Sequence, residues 1–407
     1  MGKEQQELDQ LKKRVDVLEA HVDHLRLNEV DKFVNAFKPK AAPPTPILGT
    51  SVPPPGPHKR KKLVLHSHCS PGDIIMLTAA VRDLHKNHPG EFLTDVHTTA
   101  MQIWDNNPYV TKFGGWHEEV KKIDGEDHAI PVAEVDSDVR VLLCNYPLID
   151  ESWGKWTGSN HSPHHFIHGY IRNFEDQLNL RIKPTLFKGD IHLSDAEKKW
   201  ISQAEEKGVK KFWIVMAGGK NDFTAKWWDP TRYQAVVDHF KGKINFIQAG
   251  EMSKGHWHEP LKNVLDLRGK TDTRQFIRLM YHAEGVVCPV TFAMHLAAAV
   301  ETKPGMPKNR ACVVIAGGRE PSQWEAYPHH QYIHTNGALL CCDDGGCWKS
   351  RCQLIGDGDV KDRENVCTEL VQITPQLRIP KCLDLITADE VIRRIELYHK
   401  GGALKYL

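Results

Sequence analysis

A chain of 407 residues is long enough for two domains with additions, and 40% hydrophobic with 26% charged residues is the balance of an ordinary globular protein. The formal net charge of +1 gives no electrostatic case for nucleic acid as a partner. Neither an apolar run of about eighteen residues nor a signal peptide stands in the sequence, so a cytoplasmic protein is expected rather than a spanning or secreted one.

Residues 1–37 carry Leu8, Leu11, Val15, Leu18, Val22 and Leu25 in steps of three and four. Valine at a and leucine at d favour a parallel coiled coil, hence a homo-oligomer; the alternative is one amphipathic helix docked on the body. Residues 38–61 form a proline-rich, extended linker from Pro39 to Pro57. Its basic end, His58-Lys59-Arg60-Lys61-Lys62, could make peripheral contact with acidic lipid head groups or remain a solvated tail.

The body begins with the strand Leu63-Val64-Leu65, the turn His66 to Asp73, and a helix from Ile74 to about Lys86. Strand, glycine turn and helix describe the first unit of a doubly wound domain, in which ligands lie beyond the strand ends. Asp73 at that turn is a helix cap or a site residue, and His66 and His68 are expected first as strand-end polar residues, with binding an acceptor or tuning Asp73 as the alternative. Asp95–Thr99 and Val139–Tyr146 read as further strands, and His164 to about Leu180 as a helix. His161, His164, His165 and His168 suit a wall of a polar cleft better than a metal site, because no acidic partner stands near them.

A charged, helix-forming bridge from Lys188 to Gly208 separates a first domain, 62–190, from a second, 191–335. Lys211–Ala217 starts the second strand series, and the turn after it holds Gly218-Gly219 and Lys226. Small residues there admit a phosphate, and Lys226 can neutralise it. A helix from Pro230 to about Phe240, the strand Ile244–Gly250 and the strand Cys312–Ala316, taken as the last, continue the alternation. Between them, Val286-Val287-Cys288 reads as a buried strand, stopped by Pro289, with Thr291 capping a helix from Phe292 to Val300. Free backbone N–H groups and the positive dipole end at Thr291 suit a diphosphate, and His295, one turn inside, could face the same anion or be a satisfied core histidine.

Residues 336–407 contain Cys341, Cys342, Cys347, Cys352, Cys367 and Cys382, followed by a last helix from Ala388 to about Lys400. Clustered cysteines in a cytoplasmic chain point to a structural metal before disulfides, although the spacing fits no standard zinc finger. Thiolates accept iron or zinc alike.

Several of these motifs together resemble glycosyltransferase family 9, the heptosyltransferase-like enzymes. The resemblance rests on Gly72-Asp73, Lys226 and Trp228 before a helix, Gly269-Lys270-Thr271, and Thr291 with His295-Leu296-Ala297-Ala298-Ala299. Val290 and Phe292 depart from it, standing where the family has Asp and Gly. It implies two doubly wound Rossmann-like domains facing a cleft (the GT-B architecture), and inverting transfer of a sugar from a nucleotide-diphosphate donor to an acceptor hydroxyl. Asp73 would be the general base. Gly218, Lys226, Gly250, Glu251, Lys270, Thr271, Thr291 and His295 would bind the donor, with Glu251 on the ribose and no catalytic metal needed. The cysteines look like the finger of the autotransporter heptosyltransferases, which implies Cys342, Cys347, Cys367 and Cys382 as ligands, with Cys352 the rival and Cys341 outside the set. Glycan, protein and small-molecule acceptors all remain open. A sugar-nucleotide epimerase on the same fold and a non-catalytic scaffold with a structural metal are the alternatives.

Overall fold

In the computed structural model of the protein, residues 60–123, 126–146, 164–253, 255–343 and 345–400 are described; the expected coiled coil, almost all of the linker and His161 lie outside them. Strand β1 (Lys61–Ser67) buries Leu63, Val64 and Leu65 and leads into helix α1 (Pro71–Asn87). That helix begins three residues earlier than the sequence suggested. Ser70 is the cap residue and Pro71 opens the first turn, where its missing N–H costs nothing. Asp73 is therefore inside the first turn, its Oδ2 accepting from the Ser70 N–H at 3.0 Å.

Strands β2 (Phe92–Thr98), β3 (Trp116–Ile123), β4 (Glu126–Ala133) and β5 (Val139–Leu143) follow, then helix α2 (Phe166–Leu178). β2, β1 and β5 form a parallel sheet in that order. The antiparallel hairpin of β3 and β4 was not anticipated, because its charged, largely exposed residues leave no apolar alternation to read. The bridge expected to be helical is mostly irregular, with a single turn at Asp195–Lys199 and a tighter one at Glu205–Lys207. Two things stop a helix growing there: Ser202 exchanges hydrogen bonds with Glu205, and Gly208 at φ +82° closes the turn.

The second half runs β6 (Trp213–Val215), β7 (Gly218–Lys220), α3 (Pro230–His239), β8 (Phe246–Gln248), β9 (His256–His258), β10 (Leu265–Asp266), α4 (Thr273–His282), β11 (Gly285–Pro289), α5 (Phe292–Ala299), β12 (Ala311–Gly317), α6 (Ser322–Glu325) and β13 (Gln331–His334). Six of these strands form one parallel sheet in the order β10-β8-β6-β11-β12-β13. This is the doubly wound order, with its reversal between β6 and β11, and ligands in such sheets lie at the carboxyl ends of the strands beside that reversal. The sequence ended the series at β12. The polar β13 adds one more strand outside it.

The halves meet where α1 packs on α5, and one buried core runs from Leu63 through Ile75 and Leu296 to Tyr327. The other face of the second sheet is covered by α3 and by a C-terminal helix, α7 (Ala388–His399), through Val236, Val237, Val391 and Ile395. An antiparallel hairpin, β14 (Leu370–Thr374) and β15 (Leu377–Pro380), precedes α7. No helix among the described residues is long and apolar enough to cross a membrane.

Candidate active site

The packing of α1 on α5 brings together two residues far apart in sequence. Gly72 lies so close to His295 that a side-chain carbon there would stand 2.8 Å from the imidazole Cδ2. Only glycine permits the approach, and it sets Asp73 beside His295. The His295 ring is buried, with Nδ1 3.0 Å from the Tyr327 hydroxyl and Nε2 3.6 Å from the Glu325 carboxylate. Burial, followed by the negative charge of Glu325, pushes Asp73 up to about 6 against the opposing pull of His295 and Lys226. Burial also acts upward on Glu325, but the hydrogen bond from His295 and the charges of Lys226 and Arg319 hold its carboxyl below the ordinary range. Two carboxylates in one site thus have environments that push them apart, the pattern that divides acid and base roles. His165, which caps α2 through its Nδ1, packs edge-on against Tyr327, and burial keeps it neutral by lowering it to about 3.

Beyond this carboxylate–imidazole group, cations gather at the turn Asn221–Lys226 and just past β12. Lys226 Nζ lies 2.8 Å from Glu320 Oε1, and Arg319 donates to the same oxygen. Arg319 is fixed from several sides: its Nε donates to the Lys349 carbonyl at 2.6 Å, and its guanidinium stacks on Phe223 at 5.1 Å and Trp348 at 5.3 Å. Thr291 caps α5, its Oγ1 accepting from the Ala293 N–H at 3.3 Å and its carbonyl from the Met294 N–H at 3.1 Å.

The remaining expected donor residues lie around β8 and β10. Gly218 opens β7 with φ +147°, and Gly250 follows β8 with φ +149° under the His258 ring. Glu251 is exposed and accepts from the N–H groups of Met252 and Ser253, both at 2.8 Å, which holds it below its usual value. Lys270 donates to the Asp266 carbonyl at 2.7 Å, and Thr271 precedes the α4 cap residue, Asp272. Val290 is buried, and Phe292 packs on Phe276, so both departures from the family pattern are absorbed into the core.

All six C-terminal cysteines are free thiols. Cys341, Cys342, Cys347, Cys367 and Cys382 line one small cavity with Gly318 and Arg319, the four ligands expected from sequence among them, although no three of their sulfurs stand within 4.8 Å of one another. Cys352 is fully buried and hydrogen-bonds Cys367, drawing the Cys367 thiol down to about 7. Soft sulfur donors around one cavity suit iron or zinc. Among the described residues, only Asp222, Asp357 and Asp359 bring three ligand atoms within 4.8 Å of one another, and there the buried Arg351 guanidinium pairs with all three.

The sequence model of glycosyltransferase family 9 (heptosyltransferase) matches residues 160–304. The chain resembles that family. Its fold superposes on the iron-containing heptosyltransferase TibC in complex with ADP-D-beta-D-heptose, with a TM-score of 0.53 at 15% identity, over 84% of this chain and 76% of that one. A second structure of TibC, the bacterial iron-containing dodecameric glycosyltransferase from enterotoxigenic E. coli H10407, gives 0.50 at 16%, over 84% and 77%. The family 9 glycosyl transferase from Veillonella parvula DSM 2008 gives 0.50 at 14%, over 83% and 96%. At these identities the likeness is one of fold. No curated protein sequence matches the chain.

The resemblance to family 9 reached Asp73, Lys226 and His295 but missed Glu325, Tyr327, Arg319 and Glu320. The first two lie on or just after α6, a helix of 4 residues without a motif. Arg319 and Glu320 had a usable signal: they directly follow Gly317-Gly318 at the end of a strand in a doubly wound sheet, where ligands gather.

Proposed function

We propose that the chain is an inverting, nucleotide-sugar-dependent glycosyltransferase of GT-B architecture, with 62–190 as acceptor domain and 191–335 as donor domain. The observation that carries the reading is Asp73: a carboxylate lifted to about 6, beside His295, opposite cations at the strand ends. In the proposed reaction, ionised Asp73 takes the proton of the acceptor hydroxyl as its oxygen bonds to the anomeric carbon. The bond from that carbon to the diphosphate breaks, its electron pair leaving on the phosphate oxygen, and a single displacement inverts the centre. Lys226, the α5 N-terminus at Thr291, and His295 stabilise the leaving diphosphate. Gly218, Gly250, Glu251, Lys270 and Thr271 frame the nucleoside side. TibC is in complex with ADP-D-beta-D-heptose, which makes an ADP-sugar the first donor to test.

Cys342, Cys347, Cys367 and Cys382 would hold a structural iron or zinc. Bound there, the metal would tie the loop after β13 to β15. The cytoplasm as location and a homo-oligomer through residues 1–37 complete the reading. A thermal-shift panel of nucleoside diphosphates and their sugars tests it, because a ligand that binds only the native state raises its melting temperature. The reading expects a shift with one nucleotide class that is lost in Lys226→Ala; no shift with any class overturns it.

A further inference from the structure

Resting on that donor-site reading, we propose that Glu320 is a built-in occupant of the diphosphate subsite. Arg319 is then a second diphosphate-binding cation, held in reserve until the donor displaces the Glu320 carboxylate. One carboxylate oxygen gripped by a lysine and an arginine is the arrangement of an anion subsite with an anion in it. The place fits as well, since both residues lie just past the carboxyl end of β12, the neighbour of β11, which flanks the sheet's reversal.

The two cations differ in what else holds them. Besides the contacts of its guanidinium, the Arg319 carbonyl accepts from the N–H groups of Cys347 at 3.0 Å and Trp348 at 3.1 Å. Arg319 therefore stays in position when Glu320 swings away. With Glu320 in place the trio carries a single net positive charge; with it displaced, Lys226 and Arg319 both face the incoming diphosphate. A phosphate and the Glu320 carboxylate repel each other at this range, so they exclude one another. Glu320 consequently weakens binding of the free nucleotide and speeds its departure after transfer.

Calorimetric titration of the full chain with ADP, UDP, GDP, inorganic pyrophosphate and the matching nucleoside tests this. Glu320→Gln, and Glu320→Ala as a second variant, are expected to bind the preferred nucleoside diphosphate and pyrophosphate about tenfold more tightly, with nucleoside affinity unchanged. The gain should shrink with salt and disappear when Arg319→Met is added. Wild-type affinity for diphosphate in both folded Glu320 variants, or a gain that survives Arg319→Met, overturns the proposal and leaves the donor site standing. Absence of nucleotide binding by the wild-type chain overturns both.

Discussion

The base role proposed for Asp73 carries a stability consequence of the opposite sense. Burial and the nearby Glu325 raise it to about 6, whereas an unfolded aspartate loses its proton near 4. Between those values the folded chain binds more protons than the unfolded one, so stability falls as pH rises through the window and the whole cost is present above it. Asp73→Asn should therefore be more stable than wild type at pH 7 by about 1–2 kcal/mol, a gap that closes below about pH 4. Urea melts at pH 4 and pH 7 read this, and a variant less stable at pH 7 would mean that the bond to the Ser70 N–H dominates. Glu325→Gln removes the charge that helps raise Asp73. The acid limb of the transferase pH profile should then move to lower pH; an unmoved limb would separate Glu325 from the base.

The turn at Asn221–Lys226, which carries Lys226, is built onto the cysteine-rich segment as much as onto the sheet. Thr224 Oγ1 accepts from the Cys352 N–H at 2.7 Å, and the Ala225 N–H donates to the Ser350 carbonyl at 2.9 Å. Arg351, fully buried, joins Asp222 of that turn to Asp357, Asp359 and Asp362 of the next loop. Arg351→Met removes the buried cation that ties these partly exposed carboxylates together and should lower stability, read by denaturant unfolding. A cost within about 0.5 kcal/mol would show that the acidic groups are solvated and the pairing idle.

These contacts also mark where sequence reading stopped. The β11–α5 unit was legible because strand, Pro289 and the Thr291 cap are local signals, and so was the β1 turn with Gly72-Asp73. The apposition of Gly72 and His295 was not, since it depends on two helices packing across the interior. The same holds for Glu325, which only the fold of the chain after β12 brings to His295. The hairpin of β3 and β4 escaped because hydrogen bonding with little burial leaves no periodicity.

At the scale of the whole molecule, the cysteine cavity and the cation group share a wall, since Gly318 and Arg319 line the one and Arg319 belongs to the other. Metal held by thiolates adds its binding energy to folding, so removal by a chelator, or Cys342→Ala, should lower the melting temperature. Elemental analysis of the same sample tests for iron and for zinc. An unchanged melting temperature in metal-free protein would reduce the cysteines to core residues.

In the proposed reaction Asp73 activates an acceptor for attack on a nucleotide sugar. Acceptor-dependent release of nucleoside diphosphate across pH 4–9, for wild type and Asp73→Asn with donor affinity measured on both, tests this. The wild-type rate should rise through about pH 6 and level off, and Asp73→Asn should lose about a thousandfold with donor affinity kept. A variant that turns over at the wild-type rate, or a wild-type profile without the acid limb, would contradict it.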